Sequence, residues 1–479
     1  SGVVGLDALS DPDVWWHIQL GNWILAHHQI PQTEMFSYTV NGTYLAPHEW
    51  LAGVVFAALY GAGGLFVLAL VMGAVACAGL IAVALHARVR GAGPVAIALG
   101  LALAAKAAQP VLGIRPQVFT FAFLAITLLL TERHLRRGGR AIWVLPPLFV
   151  LWANLHGGFV AGLAFMVIAA AVAAVAWRLR LPNHVPISRA AGLGAVAAVC
   201  AVVACINPQG IGSYGFALSE ATGEGAKGII EWQPPNFTDP GLWPLIALIA
   251  LFVVTGVLAA ARSRIAVRDA VLGVISCAAA LLAVRNTAVC VAVVAPMVMG
   301  WTADAVRRPA RPRLTVRPIA PAAVLAGAIV VAAACAGLGI AVARLQTSAT
   351  PAGVAAVYPA CAASVLERAP RAENVFTAYG DGGYMAMRLW PRSHVYIYGA
   401  SDAFTTAGFA DYRRIASGAT TAPSALDLLR QSGTTAVVLL KGTLTNELAR
   451  ANGWTYLLSD HGRELYVSGD AIWTSGTSC

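Results

Sequence analysis

Between residues 64 and 343 the sequence runs through one apolar stretch after another, broken only by short polar connections, and no water-soluble core can hide that much hydrocarbon surface. Apolar length and breaks predict spans at about 64–87, 93–110, 118–131, 141–154, 157–177, 188–206, 240–261, 269–284, 287–302 and 320–343. Composition agrees: the 479 residues are 58% hydrophobic and only 11% charged. The expected fold class is therefore an α-helical polytopic membrane protein. Its domains are a transmembrane region over 1–343, including a first outer loop over 7–63, and a soluble region over 344–479.

The formal net charge of +10 would suit nucleic acid or anionic lipid, but its distribution decides against nucleic acid. The arginines gather in alternate connections: Arg88 and Arg90; Arg133, Arg136, Arg137 and Arg140; Arg178, Arg180 and Arg189; Arg262, Arg264 and Arg268; Arg307, Arg308, Arg311, Arg313 and Arg317. The intervening connections hold only Arg115, Lys227 and Arg285. The positive-inside rule makes the first set cytoplasmic and puts residues 7–63, the loop 207–239 and the C-terminal region on the outer face. Ten spans with both ends outside fit this count, and a further helix ahead of the sequence would make eleven. No basic segment followed by an apolar core opens the sequence, so no cleavable signal is expected.

The first outer segment is where chemistry concentrates. Asp11-Pro-Asp-Val-Trp-Trp-His17 sets two carboxylates and a histidine around a tryptophan pair, and charged groups beside hydrocarbon are functional candidates. Trp15 and Trp16 are expected at the headgroup level, pinning the carboxylates there. The plainer reading makes Asp11 and Asp13 the cap of a helix starting near Pro12. Residues 12–28 read as an interfacial helix ended by His27-His28, and Asn41-Gly42 predicts a hairpin turn. Pro47-His-Glu-Trp-Leu51 opens a second interfacial or re-entrant helix ending at Gly61-Ala-Gly-Gly64, which brings His48 and Glu49 to the same face.

Polar residues recur at the outer ends of spans, in Arg115-Pro-Gln117, Trp152-Ala-Asn-Leu-His-Gly-Gly158, Asn207-Pro-Gln-Gly210 and Arg285-Asn286. Arg115 and Arg285 stand where arginine is disfavoured, which points to an anionic partner. The loop 207–239 is long enough to cover a site at this face.

From about residue 345 five β-prone segments alternate with helical ones near 361–368, 423–432 and 445–452, predicting a small α/β domain. Gly380-Asp-Gly-Gly383 reads as a turn. Of the eight cysteines only Cys361 and Cys479 fall outside the spans, so they are the candidate disulfide; the other six read as packing residues.

Carboxylates, histidines and arginines at one lipid–water boundary suit transfer of a group from a lipid phosphate. Asp13 would take the proton of an incoming hydroxyl, with Asp11, His17 and Glu49 completing the candidate catalytic group. Arg115, Arg285, His156 and His48 are the candidates for holding the departing phosphate. Asp11 and Asp13 are also hard ligands suited to Mg2+, Mn2+ or Ca2+. A transporter is the main competitor, although the polar residues sit at one face and no inverted repeat stands out.

Asp11-Pro-Asp-Val-Trp-Trp-His-Ile-Gln-Leu-Gly21, Ile30-Pro31, Phe36-Ser-Tyr-Thr39, His48-Glu-Trp-Leu51, Trp152-Ala-Asn-Leu-His-Gly-Gly158, Tyr379-Gly-Asp-Gly-Gly-Tyr384 and Arg388-Leu-Trp-Pro391 resemble a group of bacterial multi-pass membrane proteins related to the C-type glycosyltransferases. The resemblance runs over most of the chain. It implies a polyprenyl-phosphate-linked sugar as donor, a catalytic Asp in the first outer loop, an extracytoplasmic C-terminal domain and residence in the bacterial inner membrane. On it the base role falls to Asp13 first and Asp11 second. The Asp-Glu pair of the O-mannosyl and aminoarabinose transferases is absent, so lipid, glycan and protein all stay open as acceptor. The competing function is a non-catalytic assembly or transport protein of the cell envelope.

Overall fold

A computed structural model describes residues 11–222, 230–262, 265–306 and 346–469. They fall into two compact units, one of residues 69–217, 230–262 and 265–306, the other of residues 11–68, 218–222 and 346–469.

Of the ten predicted spans, 320–343 lies outside the described residues and each of the others falls on a helix. These are α2 (Trp50–Val89), α3 (Pro94–Ala108), α4 (Gln117–Arg137), α5 (Leu145–Leu155), α6 (Phe159–Arg178), α7 (Ile187–Val203), α9 (Trp243–Ala261), α10 (Val267–Leu282) and α11 (Thr287–Val306). Two further helices are α1 (Val14–His27) and α8 (Gly212–Thr222). Six helical stretches among the described residues are long and apolar enough to cross a membrane. At 11, 17 and 16 residues, α5, α7 and α10 fall short of the roughly 20 residues that a perpendicular crossing takes. Helix α11 packs against α3, α4, α9 and α10, and its Cys290–Ala295 run is buried on every side, which is why that helix is apolar all round.

Two arginines expected in solvated connections are instead buried. Arg90 donates to Glu132 and Asp269, and Arg268 donates to the same two carboxylates. Pairing is what makes the burial tolerable, since removing one partner of such a cluster leaves a desolvated charge.

The second unit is built on a five-stranded sheet of order β2-β1-β3-β5-β4, from β1 (Asn374–Thr377), β2 (His394–Val395), β3 (Ala436–Leu440), β4 (Trp454–Asp460) and β5 (Arg463–Ser468). Strands β2, β1 and β3 run parallel, and β5 and β4 close the sheet antiparallel. Its helices are α12 (Pro351–Val357), α13 (Ala360–Glu367), α14 (Tyr379–Leu389), α15 (Thr406–Ala416), α16 (Ala425–Gln431) and α17 (Thr443–Arg450).

Residues 36–38 join this sheet instead of forming the expected hairpin. Val395 donates to the Phe36 carbonyl and Tyr38 donates to that of Val395, so the β-prone run before Asn41-Gly42 finds its partner some 360 residues away. The turn at Asn41-Gly42 forms with an earlier partner: Thr33 bridges Tyr44 antiparallel, Glu34 donates to the Thr43 carbonyl and Leu45 donates to that of Gln32. Glu34 fixes this connection, accepting the N–H groups of Met35, Phe36 and Ser37 and the hydroxyl of Tyr398. Burial nonetheless pushes its carboxyl above the ordinary range.

The predicted break at Gly61–Gly64 is present as a kink in α2. Gly64 takes φ 64°, a left-handed conformation that glycine adopts without strain, so a short helix from Trp50 ends there before the long apolar one begins. Gly380-Asp-Gly-Gly383 is not a turn but the opening of α14. A methyl group at Gly382 would strike the Ile397 carbonyl and one at Gly383 the Pro12 carbonyl, so close packing overrides the poor helix propensity of glycine.

Candidate active site

Helix α1 starts at Val14 because Asp11 folds the chain back on itself, its Oδ1 accepting the Asp13 N–H at 3.0 Å. Asp11 is thereby buried and engaged. Asp13 occupies the N-cap position yet caps no helix N–H with its side chain. The helix-cap reading thus describes Asp11 in kind and leaves the Asp13 carboxylate pointing elsewhere, against the backbone of Gly399, where a methyl group would overlap its Oδ1. At the far end His28 turns left-handed at φ 54° and stops the helix where the histidine pair predicted.

Trp15 and Trp16 are buried against protein side chains. Trp15 packs edge-on against Tyr60, Tyr358 and Tyr384, and Trp16 against Tyr398. The tyrosines of the C-terminal region supply the amphipathic surroundings that lipid was expected to supply.

His17 lies between α1 and the start of α2, its Nδ1 2.8 Å from the Asp13 carbonyl and its Nε2 2.7 Å from Glu49 Oε2. A carbonyl only accepts, so Nδ1 carries a proton. Nε2 faces the Glu49 carboxylate. The partnership buries both and ties α1 to the start of α2. His48 continues the row: its Nε2 is 3.8 Å from Glu49 Oε2 and its Nδ1 is 3.8 Å from Asp402 Oδ2. Asp402, in the turn after β2, carried no sequence signal. Burial raises its carboxyl above the ordinary 3.8, with His48 pulling the other way. A small cleft between Trp16, Leu45, His48, Glu49, Trp50 and Asp402 opens onto this row.

The predicted phosphate ligands of the other unit assemble separately. Arg115 donates through Nη1 to Glu231, and the Arg285 guanidinium lies 3.8 Å from the centre of the Trp232 ring, so two neighbouring residues of one loop receive both arginines. The loop is pinned there by the Val284 N–H, which donates to the Gln233 carbonyl. His156 ends α5 and accepts the Gly158 N–H at Nδ1, so in the neutral ring its proton sits on Nε2; Thr120 donates to the same Nδ1 and accepts from Trp152. This explains the Trp152-to-Gly158 spacing, for a side chain at Gly158 would collide with Thr120.

Asp11, Asp13, His17, His48 and Glu49 thus come together in one unit, and Arg115 and Arg285 meet on one loop of the other. Among the described residues no three His, Cys, Asp or Glu side chains gather so as to hold a metal ion. Asp11 is committed to the Asp13 N–H, so the pair makes a poor cage for Mg2+, Mn2+ or Ca2+. Cys361 is disulfide-bonded, the other described cysteines are free, and Cys479 and Cys335 lie outside the described residues.

Long apolar helices joined to a small α/β region make a fold that this chain shares with oligosaccharyltransferases of known structure. Over 99% of its length the chain is similar to the archaeal oligosaccharyltransferase AglB from Archaeoglobus fulgidus in complex with an inhibitory peptide and a dolichol-phosphate, at 12% identity and a TM-score of 0.56, covering 71% of that chain. It is likewise similar to the oligosaccharyltransferase of that organism in complex with Zn and sulfate, at 12% identity and a TM-score of 0.54, over 98% of this chain and 70% of that one. No protein-family model and no curated protein matches the chain.

Proposed function

We propose that the protein is a membrane glycosyltransferase that moves a sugar or glycan from a polyprenyl-phosphate donor to an acceptor on the extracytoplasmic side of a bacterial plasma membrane. The observation that carries this reading is a fold shared over nearly the whole chain with an oligosaccharyltransferase bound to a dolichol-phosphate. Asp13 supports it, standing at the start of α1 with its carboxylate against the backbone of Gly399.

In this reading Asp13 takes the proton of an acceptor hydroxyl or amide while the freed electron pair forms the new bond to the anomeric carbon. The bond from that carbon to the donor phosphate breaks on the opposite face, giving inversion, and the phosphate leaves with the electron pair. Arg115 and Arg285 neutralise the departing phosphate, Arg115 trading its bond to Glu231 for one to the ligand. His17 and Glu49 hold α1, and with it Asp13, in place. No step runs through a metal ion.

The test is the donor pool. Membranes carrying Asp13→Asn should accumulate the polyprenyl-phosphate sugar that the wild type consumes, measured by mass spectrometry of extracted lipids. Equal pools, with the variant at wild-type abundance, would favour the assembly or transport reading instead.

A further inference from the structure

The helical unit carries a second polar site that plays no part in the chemistry above. A cavity of about 470 Å³ opens where several helices end. Arg90 follows α2, Arg136 is in the last turn of α4, and Arg189 and Arg268 are in the first turns of α7 and α10; His184 completes the rim. Three guanidinium groups, those of Arg90, Arg136 and Arg268, meet two carboxylates, Glu132 and Asp269, and Arg189 beside them brings the excess to two positive charges. The carboxylates are taken up by the buried pair Arg90 and Arg268. Arg136 reaches Glu132 through Nε alone, and among the described residues its two terminal nitrogens bond nothing else. Arg189 spends Nη1 on the carbonyls of Leu135 and Arg136. The remaining donors therefore line a cavity whose floor is already neutralised.

We propose that this cavity binds a phosphate group, that of an anionic lipid headgroup. A guanidinium fork matches phosphate oxygens, and a phosphate with up to two charges balances the excess. The apolar wall formed by Leu135, Ala173 and Ala176 gives an acyl chain a place beside the headgroup. The positions belong to the arginine-rich connections, so the bound lipid lies in the leaflet opposite the one where transfer is proposed.

The probes are dioctanoyl phosphatidic acid, dioctanoylglycerol and inorganic phosphate, added to the full-length protein in neutral detergent while its thermal unfolding is followed. Phosphatidic acid should raise the melting temperature saturably and dioctanoylglycerol should not. The double variant Arg136→Gln/Arg189→Gln should shift the saturation midpoint upward at least tenfold. Inorganic phosphate acting at the same concentration as the lipid would keep the phosphate site and assign it to a soluble phosphate; a response that needs the acyl chains assigns it to the lipid. The proposal is overturned if phosphatidic acid and dioctanoylglycerol act alike on the wild type, a comparison that holds even where the double variant does not fold. An unchanged midpoint in a folded double variant overturns it equally.

Discussion

At the scale of single residues, Asp13 and Asp402 separate function from stability. Asn keeps the size and shape of the half-buried Asp13 side chain, so Asp13→Asn should leave the melting temperature nearly unchanged while lowering transfer by about 10²–10⁴-fold. Asp402 is expected to do the reverse. Its carboxyl titrates above the ordinary 3.8, so the folded protein retains a proton that the unfolded chain has already lost. Stability attributable to this group therefore falls as pH rises from about 4 through the raised value, and the loss is complete above it. Asp402→Asn removes that loss: melting curves from about pH 4 to 7 should fall less steeply than those of the wild type, with His48, Glu49 and His17 still facing the site. A steeper fall would mean that pairing with His48 outweighs burial. The sequence pointed to Asp13 because an Asp-x-Asp beside tryptophans is locally conspicuous. It could not point to Asp402 or Glu34, whose surroundings come from segments more than 350 residues distant in sequence.

Among the elements, α14 offers the sharpest comparison, because its glycines occupy different surroundings within one turn. Gly380 faces open space, whereas Gly383 lies against the Pro12 carbonyl. Gly380→Ala should therefore be neutral or stabilise by about 0.5–1 kcal/mol, as an alanine gains over glycine in a helix. Gly383→Ala should push α1 aside and lower both melting temperature and transfer. Equal effects at the two positions would contradict the packing described. Local sequence explains why this helix was read as a turn: three glycines and an aspartate oppose helix formation, and only contact with α1 and the chain after β2 reverses the preference. The spans were legible for the opposite reason, since apolar length alone separates membrane helices from their connections. The same reasoning placed Arg90 and Arg268 in solvent, because Glu132, which both meet, and Asp269, which Arg90 meets, lie on helices far from them in sequence.

For the whole molecule, sidedness is the property on which the catalytic reading depends. Engineered cysteines in 207–217 and in 346–469 should be labelled from outside intact cells by an impermeant maleimide, and cysteines in 133–140 should not. Labelling of the opposite set would remove the proposed chemistry. Composition marked residue 345 as the point where the sequence turns polar, but the pairing of residues 36–38 with β2 lies beyond what composition can register. That pairing has a consequence in time. Synthesis runs from the amino terminus, so Asp13 and α1 emerge hundreds of residues before Gly399, Asp402 and Tyr398, and they wait through the insertion of every helix between. A ribosome stalled short of residue 394 would leave a fully inserted chain with an unshaped acidic segment. Limited proteolysis of such an arrested chain should cut within 11–49, and release of the full chain should close that window.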